Sequence, residues 1–218
     1  MSKAEDFLKK EKEHYGKVYV DLTYAIDNVS PFLEKEQLNK RKYVTKLPVL
    51  KKYIDLIEAA EREVNKKGGF LSLFSDDGKY IKLLNSYKHD NSHALNQLEH
   101  CSKCVHINCS EDKFDGCLGC RENSRIVYCD HVRINVTFHD NWVLTLNNDR
   151  TSETDRYKVL ATLQDITKDQ KYIIIENMRT DEKFVLYYYP GISEDSYGEI
   201  TDAEEFDFIV FTYQSVEE

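Results

Sequence analysis

All six cysteines of this chain lie between Cys101 and Cys129. Two Cys-x-x-Cys pairs, Cys101 with Cys104 and Cys117 with Cys120, are separated by twelve residues. Each pair places two thiolates at a tight turn, and two such pairs complete the tetrahedral four-thiolate shell that zinc prefers. The sequence therefore predicts a Zn2+ ion bound by these four cysteines.

The remaining cysteines and nearby histidines form a second candidate set. One half is His106 with Cys109 and the other is Cys129 with His131. The second pair lies in a stretch whose alternation predicts a strand, where residues two apart project from the same face. A second zinc bound by these four residues is one interpretation. In the others, Cys109 and Cys129 are small buried apolar residues and His106 is exposed, or one of these cysteines replaces a thiol of the first set.

A four-thiolate zinc site is closed, whereas a catalytic zinc usually keeps three protein ligands and an open position. The chain also lacks H-E-x-x-H and other common catalytic zinc motifs. We therefore expect structural zinc and no enzymatic activity. The alternative is a zinc-dependent hydrolytic enzyme that uses His131 and His139, predicted to share one strand face, with Cys129 and either Asp130 or Asp140.

The start of the chain has no apolar stretch typical of a secretory signal. No segment approaches the roughly 18 apolar residues that a membrane span needs. We therefore expect a cytoplasmic protein without a membrane contact. Because cytoplasmic thiols stay reduced, clustered cysteines favour metal binding over disulfides.

Charge is distributed unevenly along the chain. Residues 1–67 carry a net +3, residues 68–133 carry −1, and residues 134–218 carry −11. Affinity for nucleic acid comes largely from basic side chains that neutralise phosphates, so the last third would repel a nucleic acid. We expect a protein partner; the alternative is a weak nucleic-acid binder that uses the basic N-terminal part, chiefly residues 39–46.

The first part of the chain is predicted to be helical. The clearest helix covers residues 48–67, with Pro48 in its first turn and this apolar stripe: Val49, Tyr53, Leu56, Ala60 and Val64. Shorter helices are expected at residues 4–15 and 30–43, the second with Ser30 as its cap and Pro31 following. Residues 91–100 are expected to form another helix, in which His93 and His100 could share a face.

Two apolar runs, residues 70–74 and 80–84, flank the turn-forming Asp76, Asp77 and Gly78. Such turn residues between two apolar runs predict a β-hairpin.

The last part is predicted to be β-rich. Strict alternation over residues 125–138 indicates one strand, and segments near residues 141–148, 156–165, 171–178 and 183–190 indicate four more. The chain then predicts a helix over residues 201–214, with Thr201 as cap and Glu204 as its capping-box partner. The stripe of this helix is Phe206, Ile209, Val210 and Tyr213.

Residues 156–213 resemble the YrzB-like family of small acidic bacterial proteins of unknown function. The similarity lies in the order of four elements: Val159 to Thr162, Lys171-Tyr172, Phe184 to Tyr189, and Ile200 to Phe206. The resemblance implies a small antiparallel sheet with a C-terminal helix, and it supplies no catalytic residues. The chain differs in its more aromatic third strand, and residues before 156 have no counterpart in that family.

These observations predict an α+β protein in three parts. Residues 1–90 form a helical region with a β-hairpin, residues 91–131 a zinc-binding segment, and residues 132–218 an acidic antiparallel sheet closed by a C-terminal helix. The predicted function is that of a non-enzymatic, zinc-binding interaction or regulatory protein.

Overall fold

The computed structural model describes residues 3–66, 77–111, 113–115, 123–147 and 154–217. The chain forms two compact units, residues 1–102 and 103–218. The described part of the first unit is helical, and that of the second contains an antiparallel sheet followed by a helix. The predicted α+β class is confirmed, whereas the separate zinc-binding segment at residues 91–131 stays a prediction.

Five helices build the described part of the first unit: α1 (Lys3–Val29), α2 (Lys35–Lys40), α3 (Lys42–Lys66), α4 (Asp77–Asp90) and α5 (Ser92–Ser102). The first helix is much longer than predicted. Buried positions continue at helical spacing from Leu8 through Tyr15 and Leu22 to Val29, so one face keeps packing on the interior for the whole length.

The predicted helix from Ser30 is wrong at its start. Residues 30–33 form a turn and bend, and α2 begins after Glu34. The side chain of Gln37 accepts a hydrogen bond from the Glu34 backbone N–H at 3.0 Å, which completes a reciprocal capping box. The capping box therefore stabilises a helix that starts after Glu34, and not at Ser30 and Pro31 as predicted.

Helix α3 starts at Lys42, so Pro48 lies inside the helix and not in its first turn. The buried stripe consists of Leu50, Tyr53, Ile57 and Ala60. Two of these residues, Tyr53 and Ala60, belong to the predicted stripe. The face is therefore rotated slightly from the predicted one.

The predicted β-hairpin is wrong in its second arm, because residues 80–84 belong to α4. Leu84 is fully buried. Tyr87 follows it by three residues, and the Tyr87 hydroxyl donates a hydrogen bond to the Val49 carbonyl oxygen at 3.0 Å. Residues three apart lie on the same face of a helix, so both contacts stabilise α4. This tertiary packing outweighs the local preference of Asp77 and Gly78 for a turn. Residues 70–76, with the first arm, lie outside the described residues.

A polar contact network ties three helices of the first unit together. The Glu11 carboxylate accepts hydrogen bonds from the Tyr53 hydroxyl at 2.5 Å and from the Lys88 ammonium at 3.0 Å. Burial and the neighbouring Glu11 raise the pKa of Tyr53, which keeps its hydroxyl protonated as a donor. The network satisfies polar groups at the junction of α1, α3 and α4.

Seven antiparallel strands and a last helix build the described part of the second unit: β1 (Ser124–Cys129), β2 (Ile134–His139), β3 (Val143–Asn147), β4 (Thr154–Asp165), β5 (Gln170–Asn177), β6 (Lys183–Tyr189), β7 (Ser196–Glu199) and α6 (Ala203–Gln214). The strand order is β1-β2-β4-β5-β6-β7, and β3 pairs with the first half of β4. The predicted strands β3 to β6 and the last helix are confirmed, and β7 was not predicted.

The alternating segment 125–138 is not one strand, as predicted, but the hairpin of β1 and β2. Asp130 interrupts it, because its Oδ1 accepts hydrogen bonds from the backbone N–H groups of Val132, Arg133 and Ile134 at 2.8–2.9 Å. The next residue, His131, has a φ of 60°. Local side-chain acceptors of this kind stabilise turns against continued strand.

Helix α6 covers one face of the sheet. Its Ile209 and Tyr213 pack in the same cluster as Val136, Leu163 and Ile174. The helix is capped by Asp202 and not by the predicted Thr201, since the Asp202 carboxylate accepts from the Glu205 N–H at 2.9 Å.

The opposite face of the sheet carries a second apolar cluster, which includes Val159, Ile173 and Ile175. On β2 this face carries Asn135, Thr137 and His139, which alternate with residues of the α6 cluster. None of the helices in the described ranges is long and apolar enough to cross a membrane.

Candidate metal centre

Three side chains of the second predicted set converge in the unit of residues 103–218. One ligand atom each from His106, Cys109 and His131 lie within 4.8 Å of one another. The Cys109 Sγ is 4.0 Å from the His131 Nδ1. The two imidazole rings stack at 5.5 Å between centroids with an interplanar angle of 25°. This cluster could hold a metal ion.

A short hydrogen-bonded turn presents two of these ligands. The Ile107 N–H donates to the Cys104 carbonyl oxygen at 3.1 Å, and the Cys109 N–H donates to that of His106 at 3.0 Å. The Val105 N–H donates to the Ile126 carbonyl oxygen of β1 at 3.0 Å. The turn is therefore fixed to the edge of the sheet, with His106 3% and Cys109 9% exposed.

The β1–β2 turn presents the third ligand. Asp130 organises this turn, and the His131 N–H donates to the Cys129 Sγ at 3.3 Å. Burial alone would raise the pKa of Asp130, but the backbone donors outweigh it and lower the pKa. The Lys113 ammonium donates to the His131 carbonyl oxygen at 2.8 Å, so a third segment holds the turn.

The donor set fits a transition metal. Two imidazoles and one thiolate are borderline-soft ligands of the kind that bind zinc, and tetrahedral zinc places such ligand atoms about 3.3–3.6 Å apart. The observed separations, up to 4.8 Å, require each pair of ligand atoms to approach by at most about 1.5 Å. Side-chain rotation alone moves a donor atom that far.

Sequence reasoning missed an acidic neighbour of this cluster. A hydrogen bond from Lys113 and its charge lower the pKa of Glu111, and the charges of His131 and His106 lower it further. The carboxylate therefore adds negative potential where a cation would bind. Its type and position in the chain carried no distinguishing signal.

Cys129, the fourth member of the second set, lies beside the cluster but outside the group of three. The prediction that it shares a strand face with His131 is wrong, because β1 ends at Cys129 and His131 is in the following turn. The two residues are still neighbours through the hydrogen bond between the His131 N–H and the Cys129 thiol.

The first predicted set is only partly described. Cys101 lies near the end of α5, is 2% exposed, and its Sγ accepts from the Gln97 Nε2 at 3.4 Å. Cys104 is 7% exposed and begins the turn that presents His106. Cys117 and Cys120 lie outside the described residues, so the four-thiolate site stays a prediction.

His131 and His139 do not share a strand face, as the hydrolytic alternative requires. His139 ends β2, five residues beyond Ile134, and pairs with Ser124 at the start of β1. An antiparallel strand rises about 3.4 Å per residue, so β2 separates His139 from the turn that contains His131 by about 17 Å. Its Nε2 is 2.8 Å from the Thr162 Oγ1.

The other predicted histidines belong to the first unit. His93 and His100 both lie on α5, as predicted, and His93 is exposed. An exposed helix position is the ordinary place for such a residue.

The fold and the cluster together define an α+β protein with a possible metal site of two histidines and one cysteine. Comparison with known proteins adds no relative: no family model matches the chain, and neither a curated protein nor a solved structure matches it significantly. The resemblance of residues 156–213 to the YrzB-like family therefore stays a prediction.

Proposed function

We propose that this chain is a zinc-binding interaction or regulatory protein in which the metal is structural. The observation that carries the proposal is the convergence of His106, Cys109 and His131 within 4.8 Å. Mixed imidazole and thiolate ligands select zinc among the abundant divalent ions, whereas Mg2+ and Ca2+ take oxygen ligands.

A structural role is supported by what the ligands connect. His106 and Cys109 belong to the turn before the sheet, and His131 belongs to the β1–β2 turn, more than twenty residues later in the chain. A metal held by all three would close that loop and contribute its binding free energy to folding. Cys129, whose Sγ accepts a hydrogen bond from the His131 backbone N–H at 3.3 Å, is the fourth ligand in this proposal.

A protein partner is supported by charge. Residues 134–218 carry a net −11, which disfavours anionic polymers and suits a basic protein surface. A cytoplasmic location, where the thiols would stay reduced for metal binding, belongs to the same proposal.

The first experiment counts the metal. We expect protein purified without chelator to contain at least one zinc per chain by elemental analysis, and a second if the four-cysteine set also binds. His131→Ala should lower the content by one equivalent. The matched control is His93→Ala, an exposed histidine outside the cluster, which should leave the content unchanged.

The same variants separate a structural from a catalytic metal. Structural zinc contributes roughly 10 kcal/mol or more to folding, which exceeds the stability of many domains. We therefore expect His131→Ala to melt at a clearly lower temperature than His93→Ala. An unchanged melting curve after loss of the metal would contradict the structural role.

A further inference from the structure

The second unit contains a cavity of about 220 Å3 that is separate from the metal cluster. Residues of β1, β2, β4, β5 and β6 line it. Its β2 residues are Asn135, Thr137 and His139, on the sheet face opposite α6. These three residues are polar, yet Asn135 is only 3% and His139 6% exposed.

Two polar rungs cross this cavity between neighbouring strands. Asn135 on β2 pairs with Gln164 on β4, and Thr137 pairs with Thr162 two residues further along the same face. All four line the cavity. Asn135 is buried, and the other three side chains are half-buried. Burial of a polar side chain costs free energy compared with an apolar residue of the same size, so polar residues at these positions indicate a use other than packing.

Aromatic rings form one side of the cavity. The Trp142 ring meets the His139 ring edge to face at 4.8 Å between centroids and the Tyr188 ring at 6.2 Å. Tyr188 is 9% exposed, and its hydroxyl donates to Asp195 at 3.0 Å, so its position is fixed. A flat ligand can pack against such a wall.

The charges at the cavity do not suit an anion. Lys171 lines it, but its ammonium is paired with the Asp115 carboxylate at 2.5 Å. Arg125 also contributes to the lining, yet its guanidinium carbon lies 6.0 Å from the centre of the Phe138 ring, which packs with the α6 cluster. Residues 134–218, which supply most of the lining, carry a net charge of −11 and would repel an anionic ligand further.

We propose that this cavity binds a single uncharged nucleobase, either free or as the base of a nucleoside. The edge of a base carries alternating donors and acceptors, and paired amides such as Asn135 and Gln164 match that pattern. Gln164 has a defined orientation, because its Oε1 accepts from the Asp115 N–H at 3.0 Å. Its amide N–H donors are therefore turned to other partners, and Trp142 supplies the stacking surface.

Size and charge limit the ligand further. Pockets for drug-sized molecules enclose about 300–1,000 Å3, and this cavity is smaller, which suits one ring system. A nucleic-acid strand is disfavoured, since its phosphates would meet the acidic segment.

Trp142 makes a direct test possible, because it is the chain's single tryptophan. We expect its fluorescence to change saturably in titrations of the full chain with free purine and pyrimidine bases and their nucleosides. At least one should bind with a dissociation constant below about 1 mM. Glucose and galactose, titrated in parallel, should cause no saturable change.

Two nearly isosteric variants locate the site. Thr137→Val and Thr162→Val each remove one hydroxyl from the polar rungs, and each should weaken binding of the best ligand about tenfold. Thr145→Val, an exposed position on β3 outside the lining, is the matched control and should bind as the parent chain does.

Three results would overturn the proposal. The first is no saturable change with any base or nucleoside up to about 10 mM, above the range in which the cavity should bind. The second is equal binding by the sugars, which would assign the site to polyols. The third is unchanged affinity in both threonine variants, which would place the ligand elsewhere. Circular dichroism of each variant verifies that the fold is retained.

Discussion

One buried carboxylate stabilises the end of β4 that pairs with the start of β2. Asp165 ends β4 and is fully buried, and its side chain accepts from the Arg133 Nε at 2.7 Å and from the Thr167 hydroxyl at 2.6 Å. Burial raises the pKa of Asp165, but the hydrogen bonds from Thr167 and Arg133 outweigh that effect and lower it. The carboxylate is thus stabilised in its charged form in the folded protein.

We expect Asp165→Ala to destabilise the second unit by about 3 kcal/mol, because it leaves the Thr167 donors and the Arg133 guanidinium without their acceptor. Chemical denaturation at neutral pH measures this loss. Asp207→Ala, an exposed position on α6, is the control and should change stability by less than about 0.5 kcal/mol.

The same variant has a pH signature. A carboxyl whose folded pKa is lowered contributes stability above its unfolded pKa of about 4, and this contribution is lost as the pH falls through the folded pKa. The stability difference between parent and Asp165→Ala should therefore shrink below about pH 4. A difference that stays constant between about pH 7 and pH 3 would contradict the charged role of Asp165.

At the scale of elements, tertiary packing and capping determine where helices begin and end. Helix α6 starts after Asp202, which accepts from the Glu205 N–H, although Thr201 is also a favourable capping residue by type. In the first unit, α1 runs far beyond its predicted end because its apolar face continues to Val29.

The two neighbouring cap candidates offer a matched pair of substitutions. Asp202→Ala should destabilise the second unit by about 1 kcal/mol, since it removes the acceptor of an otherwise unpaired helix N–H. Thr201→Ala should cost less than about 0.5 kcal/mol. Urea denaturation of the two variants measures both values, and a larger loss for Thr201→Ala would assign the cap to that residue.

At the scale of the whole molecule, charge separates the two ends of the chain. Residues 1–67 carry a net +3 and residues 134–218 a net −11. In the first unit, basic residues alternate with acidic ones and form ion pairs such as Lys12 with Glu61 at 2.5 Å and Lys51 with Asp55 at 3.2 Å. Such pairing reduces the number of cations that a phosphate backbone would meet.

We therefore expect no DNA or RNA affinity tighter than micromolar at physiological salt, because few cations would neutralise phosphates and salt weakens their contribution. Fluorescence anisotropy with single- and double-stranded probes measures this. Nanomolar binding at that salt concentration would overturn the expectation and direct attention to Lys40, Lys42 and Lys46, since Arg41, the remaining cation of this basic stretch, is buried.

Local sequence patterns were sufficient to predict the class of fold and most of the sheet. Period-two apolar patterns in β3 to β6 and the apolar stripe of α6 are local properties, and they predicted these elements within a few residues. Residue chemistry likewise placed His106, Cys109 and His131 in a candidate set together with Cys129, because imidazoles and thiols clustered in sequence are characteristic of metal sites.

Tertiary structure decided what local patterns could not. Alternation through residues 125–138 is equally compatible with one strand or a hairpin, and the three backbone hydrogen bonds to Asp130 selected the hairpin. In that turn His131 lies beside His106 and Cys109, whereas His139 lies at the far end of β2. The cavity position of Asn135 and Thr137 could not be predicted, because it depends on β4, a strand distant in sequence. Packing of the whole sheet, and not local propensity, determines which strands pair.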